Sequence, residues 1–191
     1  GCDAGRCGSA RAAVWRREGN VITGIKSWRG LELMQTVGRV RAGYEALPPW
    51  QQPSEILVDS IGIGSGVVDR MHELGAPVRG VNVAEAPAMK ETYNNLRTEL
   101  WFKCKAWLED RSCKLPNDDE LLADLTGIRY AFTSSGKMAA ESKDAMRKRG
   151  LRSPDLADAG CLTMASDAAT ALSGPMSRWR GALRRNLQGI A

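Results

Sequence analysis

The run Ile56-Leu57-Val58-Asp59, with Gly62-Ile63-Gly64-Ser65-Gly66 directly behind it, constrains the fold more than any other stretch of this chain. Three apolar residues without polar alternation fit a strand buried on both faces, the habit of parallel strands covered by helices. Val67 to Leu74 reads as a helix ended by Gly75, and Val78-Arg79-Gly80-Val81-Asn82-Val83 as the next strand. Strand, helix and strand in that order make a crossover unit of a parallel sheet.

Upstream, the region around Cys2-Asp3 reads as the end of a first strand. Ala12 to Arg16 and Val21 to Trp28 read as two more, joined through Glu18-Gly19-Asn20 as a hairpin. Leu31 to Leu47 has helical spacing, with Leu31, Met34 and Val37 on one face, and Pro48-Pro49 stops it. A hairpin followed by crossovers predicts an α/β domain with a mixed central β-sheet flanked by helices.

Downstream, Leu96, Leu100, Trp101, Cys104, Trp107 and Leu108 recur at helical intervals within a helix from Tyr93 to Asp110. Asp118-Asp119-Glu120 starts a short helical piece through Leu125. Gly127 to Thr133 and Lys137 to Glu141 flank Ser134-Ser135-Gly136 as a second hairpin, and Ser142 to Gly150 is polar and basic. Ser153 is expected to cap a last helix with Pro154 at its first position, running past Met164. Residues 1–173 read as one domain and 174–191 as a basic tail.

The net charge of +5 suits a polyanionic partner. Five scattered cysteines and a single histidine, His72, contain no Cys-x-x-Cys pair, so no zinc framework is present and reduced thiols in a cytosolic protein are expected. No run approaches the ~18 apolar residues of a membrane span, and no signal peptide is read. A first residue that is Gly1 rather than Met reads as a piece cut from something longer.

Three aspartates stand in contexts that a two-metal phosphodiesterase would use: Asp3 at a strand end, Asp59 at the end of the buried strand, and Asp158 in the late helix. Such chemistry needs carboxylates converging on a space about 4 Å across, and Mg²⁺ or Mn²⁺ accepts their hard oxygens. A lone aspartate at a strand end is ordinarily a turn or cap residue, and Asp155 in a first helical turn complements the helix dipole. The glycine loop has neither dinucleotide nor Walker A spacing; its glycines are read as letting backbone, metal and phosphate approach closely after Asp59. Glu99 reads as an exposed helical acid paired with Lys103, and His72 as solvated or partly packed. Lys143, Arg147, Lys148, Arg149 and Arg152 form a basic run leading into the last helix and are candidates for phosphate contact, as Arg178, Arg180, Arg184 and Arg185 are in the tail. Trp15, Trp28, Trp101 and Trp107 fall at core positions.

From Asp3 to about Ala165 the chain resembles the nuclease domain of tailed-phage terminase large subunits. The matching pieces, in order, are Asp3-Ala4-Gly5-Arg6-Cys7-Gly8; Ile56-Leu57-Val58-Asp59-Ser60 with Gly62, Gly64 and Gly66-Val67-Val68-Asp69; Asn94-Asn95-Leu96-Arg97-Thr98-Glu99-Leu100-Trp101; and Ser153-Pro154-Asp155-Leu156-Ala157-Asp158-Ala159. The resemblance implies a ribonuclease H-like fold and a Mg²⁺- or Mn²⁺-dependent endonuclease that cuts double-stranded concatemeric viral DNA during genome packaging in the host cytoplasm. It carries metal ligation onto Asp3, Asp59 and Asp158, with Asp155 as a fourth candidate. It also implies an ATPase domain on the full-length chain, with a small terminase subunit and a portal as partners. Ser9-Ala10 stand where the family often has acids, which removes an accessory ligand from that loop. Two other readings stay open: a junction resolvase or integrase-type nuclease on the same fold, and a non-catalytic module that docks on the portal.

Overall fold

The computed structural model describes residues 1–5 and 11–166. The tail arginines and the piece Arg6-Cys7-Gly8 lie outside those residues, as does the expected boundary at 173. Five strands form one sheet in the order β3-β2-β1-β4-β5: β1 (Cys2–Asp3), β2 (Arg11–Glu18), β3 (Val21–Arg29), β4 (Ile56–Asp59) and β5 (Val78–Val81). The hairpin β2–β3 is antiparallel and β1 runs antiparallel to β2, whereas β1, β4 and β5 are mutually parallel neighbours. This is the mixed sheet of a ribonuclease H-like fold.

Side chains of β4 alternate between two buried faces, as its central position demands. Ile56 and Val58 pack with Val37 and Val40 of α1 (Leu33–Glu45) and with Val67 and Met71 of α2 (Ile63–Glu73). Leu57 points the other way, into a cluster with Leu100, Trp101 and Cys104 of α3 (Leu96–Glu109) and with Ala157, Cys161 and Leu162 of the last helix. Two helices thus cover one face of the sheet. The other is covered by α3, α4 (Asp119–Gly127) and α6 (Asp155–Leu162), the last two packing on Ala13 and Trp15 of β2. Of the four tryptophans expected in the core, Trp15 and Trp101 are buried; Trp28 and Trp107 are only half-buried.

Several boundaries differ from the sequence expectation for identifiable reasons. The glycine stretch is not a loop throughout: α2 begins at Ile63, after Gly62 turns the chain with φ 65°. A Cβ on Gly64 would stand 1.7 Å from the Asp59 carbonyl oxygen, so glycine is what lets this helix start under the end of β4. Gly64→Ala should therefore destabilise the protein by at least ~1–3 kcal/mol and depress any activity that depends on Asp59. Gly38→Ala, in α1 with nothing within 4 Å of the added carbon, should instead stabilise by ~0.5–1 kcal/mol. Thermal unfolding of the two variants checks the contrast.

The long helix starts at Leu96 rather than Tyr93, because Asn95 accepts the Thr98 N–H at 3.0 Å and caps it. The polar, basic stretch after the second hairpin contains an unforeseen helix, α5 (Lys143–Lys148), capped by Ser142 accepting from the Ala145 N–H. Ser153 does not cap α6. Pro154 is the residue before its first turn, and the Leu156 N–H donates instead to Asp124 of α4 at 3.0 Å. A remote carboxylate has replaced the local hydroxyl. The second hairpin stands as expected, β6 (Tyr130–Phe132) pairing with β7 (Met138–Ala140). Glu99 pairs with Lys103 at 2.7 Å but is buried rather than exposed, because its carboxylate also accepts the Ala88 N–H.

Candidate active site

Cys2 is paired with Val58, so Asp3 and Asp59 end adjacent parallel strands, and both point away from α1 and α2 toward α6. There they meet Asp155 and Asp158, one turn apart on α6. All four carboxylates line one cleft of about 860 Å³, with Arg97, Trp101 and Lys143 among its other walls. Lys143 stands between them: its Nζ lies 2.7 Å from Asp3 Oδ2, 3.2 Å from Asp155 Oδ1 and 3.2 Å from Asp158 Oδ2. Three of the four acids are thereby gathered on one ammonium, while Asp59, in the same cleft, accepts the Ile61 N–H at 3.1 Å.

The four acids are not equivalent. Burial lifts the Asp3 carboxyl to about 7 even though Lys143 works against that rise, and the Asp158 charge adds to it. Burial also raises Asp59, opposed by its bond from the Ile61 N–H. Asp158 goes the other way: burial would raise it, but Arg97, Lys143 and the Trp101 indole together hold it below the ordinary carboxylate range. Arg97 donates through Nε to Asp158 Oδ1 at 3.1 Å and through a terminal nitrogen to Oδ2 at 3.3 Å, and Trp101 Nε1 donates to Oδ1 at 2.7 Å. The remaining Arg97 nitrogen donates to the Glu141 carbonyl at 2.8 Å. Asp155 accepts from Lys143 alone among the described residues.

Arg97 and Trp101 were not foreseen as site residues. Their signal lay in the helix register: four residues apart on α3, they share the flank of the buried stripe through Leu96 and Leu100. The basic run divides as well. Arg149 is held by Glu141, with its Nε 2.7 Å from one carboxylate oxygen, and Arg152 bonds to Glu120 and lies 3.3 Å from Asp124. Arg147 pairs with Asp144 on exposed ground and lines the cleft, and Lys148 is exposed. Glu120 also receives both terminal nitrogens of Arg11, which ties β2 to α4.

Hard carboxylate oxygens converging from three elements, with a cation already seated on three of them, are a donor set suited to Mg²⁺ or Mn²⁺. Among the described residues the acids surround the ammonium and are not drawn in as a closed group of three or more at metal-ligand spacing.

No protein-family model matches the sequence, and no curated protein matches it significantly. Solved structures do match. The nuclease domain of the large terminase subunit gp2 of bacterial virus Sf6 superposes with a TM-score of 0.74 over 85% of this chain and 85% of that chain, at 19% sequence identity. A mutant of that Sf6 domain, solved with manganese and beta-thujaplicinol, gives 0.72 over 85% of each chain at 19% identity. The large terminase nuclease from thermophilic phage G20c with bound magnesium gives 0.65 over 87% of this chain and 79% of that chain, at 18% identity. At such identities the likeness is one of fold, and this chain has the fold of those nuclease domains.

Proposed function

We propose that the chain is a divalent-metal-dependent endonuclease that cuts double-stranded DNA, acting on concatemeric viral DNA during genome packaging as the nuclease part of a terminase large subunit. The observation that supports this reading is the meeting of Asp3, Asp59, Asp155 and Asp158 in one cleft, three of them on the Lys143 ammonium. Bound Mg²⁺ or Mn²⁺ would supply an activated water and neutralise charge on the leaving oxygen of the phosphodiester.

The protein's own groups divide the remaining work. Asp3, Asp59 and Asp155 have oxygens free to turn toward metal, whereas both oxygens of Asp158 are engaged by Arg97. Asp158 is then the fixed anion that keeps Lys143 and the cleft wall in position, and Asp155 ranks above it as a ligand. Lys143 holds three of the carboxylates together, and Asp3, Asp59 and Asp155 are the residues that would hold Mg²⁺ or Mn²⁺. Phosphate contact falls to Lys143, Arg147 and Lys148, because Arg149 and Arg152 are committed to Glu141, Glu120 and Asp124. Such contacts are indifferent to base sequence and weaken as salt rises.

Supercoiled plasmid incubated with the protein and Mn²⁺ should be nicked and then linearised, and chelation should stop the reaction. Linear duplex and a four-way junction should be cut at comparable rates. No cleavage with any divalent ion, or a strong preference for the junction, overturns this reading.

A further inference from the structure

Among the described residues the second hairpin has a free edge, and it reaches beyond the proposed chemistry. Bonds from the Thr133 N–H to the Lys137 carbonyl and from the Glu141 N–H to the Arg129 carbonyl, each 2.8 Å, fix which residues of β6 face β7. Arg129, Ala131 and Thr133 turn their peptide groups inward. Tyr130 and Phe132 therefore turn theirs outward, since the pattern alternates. On the far side of the hairpin the equivalent outward groups are used: the Met138 N–H donates to the Thr92 carbonyl at 2.8 Å, and its carbonyl accepts from the Asn94 N–H at 3.0 Å. Met138 thus joins Tyr93 in an isolated parallel bridge, while β6 remains the outer strand of its two-stranded sheet.

The side chains on this edge are exposed as well. Tyr130 is 56% and Phe132 67% exposed. Their rings stand edge to face at 6.1 Å, and Tyr130 continues onto Phe102 at 5.3 Å and from there to Tyr93. The base is rigid: Arg149 bonds to the Gly127 carbonyl at 2.8 Å and to Glu141, and the Ala140 N–H donates to Thr98. Neither a proline nor a charge interrupts the strand between Tyr130 and Phe132, so the usual devices that blunt an edge are missing within it. Arg129 and Lys137 stand at its two ends, and the hairpin's one acid, Glu141, is neutralised by Arg149.

We propose that β6 is a docking edge for an extended, acidic segment of a partner protein, which adds as a strand and lays alternate apolar side chains against Tyr130 and Phe132. The outward peptide groups would give main-chain bonds, the rings would select apolar residues at every second position, and the flanking cations would select acidic ones.

The test uses the full chain and two synthetic peptides, one alternating valine with glutamate and one alternating valine with lysine. The acidic peptide should bind saturably and protect the Tyr130 and Phe132 amides from hydrogen exchange. Phe132→Pro removes an outward N–H and one of the two rings without touching the bonds to β7 and should weaken binding about tenfold or more, one ladder hydrogen bond alone accounting for about tenfold. Plasmid nicking should be unchanged in that variant, which separates this proposal from the nuclease reading. Absence of binding, equal binding of the basic peptide, or saturable binding without protection of those two amides overturns it. So does a concentration-dependent dimer that Phe132→Pro dissolves, since a second copy would then occupy the edge.

Discussion

With Asp59 as the proposed metal ligand, Asp59→Asn should lower Mn²⁺-dependent plasmid nicking by about 10³-fold or more, because a lost ligand would remove several kcal/mol of charge stabilisation from phosphodiester cleavage. Asp3→Asn should do the same, and its thermal stability separates chemistry from folding. Burial, opposed by Lys143, lifts the Asp3 carboxyl from 3.8 to about 7. An acid whose pKa is higher in the folded state contributes stability fully below its unfolded value and loses it as pH rises through the folded one. In the absence of divalent ions the wild-type protein should therefore lose this contribution between 3.8 and about 7. Asparagine cannot ionise, so Asp3→Asn should be the more stable protein at alkaline pH, with the gap shrinking toward pH ~4. Added Mn²⁺ should raise the wild-type melting temperature through preferential binding to the folded state and leave the Asp3 and Asp59 variants nearly unmoved. Variants that nick normally, or that melt like wild type with and without Mn²⁺, would remove these carboxylates from the site.

Arg97→Ala should be the most destabilising single substitution in the cleft, by ~3–5 kcal/mol, because it strands the buried Asp158 carboxylate without its main partner. The two side chains are only 16% and 10% exposed, so water does not replace the guanidinium cheaply. Burial favours the neutral acid, and Arg97 with Lys143 and Trp101 reverses that preference. A depressed acid contributes stability above its unfolded value and loses it as pH falls through the folded one. The penalty of Arg97→Ala should thus be largest near neutrality and shrink in acid, where Asp158 is protonated in the variant. Denaturant midpoints at pH ~7 and ~4 measure the difference. Arg97→Lys should rescue little, since a point charge cannot span both oxygens and the Glu141 carbonyl together. A penalty unchanged by acid would mean that Arg97 acts through packing on the Trp101 ring, 5.8 Å from its guanidinium carbon, and not through charge.

The parts of this architecture that were legible in the sequence are those written in local pattern. The unalternated Ile56-Leu57-Val58 marked a strand buried on both faces, and both hairpins carried their turn residues. What escaped depends on partners far along the chain. Ser153 satisfies every local rule for a cap, yet Asp124 reaches the α6 amide instead, and no window around Ser153 contains that competitor. The start of α2 was obscured because glycines signal turns locally, whereas here Gly64 is needed for close approach to the Asp59 carbonyl. Nothing local marks Arg97 as a site residue; its partner Asp158 lies 61 positions away. Charge counting likewise could not tell Arg149 and Arg152, fastened to acids outside α5, from Arg147, whose partner Asp144 is exposed on α5 itself.

Helix α6 is eight residues long, and every one of them is buried. A segment so short has no stability in water by itself, so it takes shape only against β2, α3 and α4 once these are in place. The ribosome makes Asp3 and Asp59 before Asp155 and Asp158. A nascent chain therefore carries half of its acidic cluster on an unfinished scaffold, and the four carboxylates share a cleft only after α6 has been made and has docked.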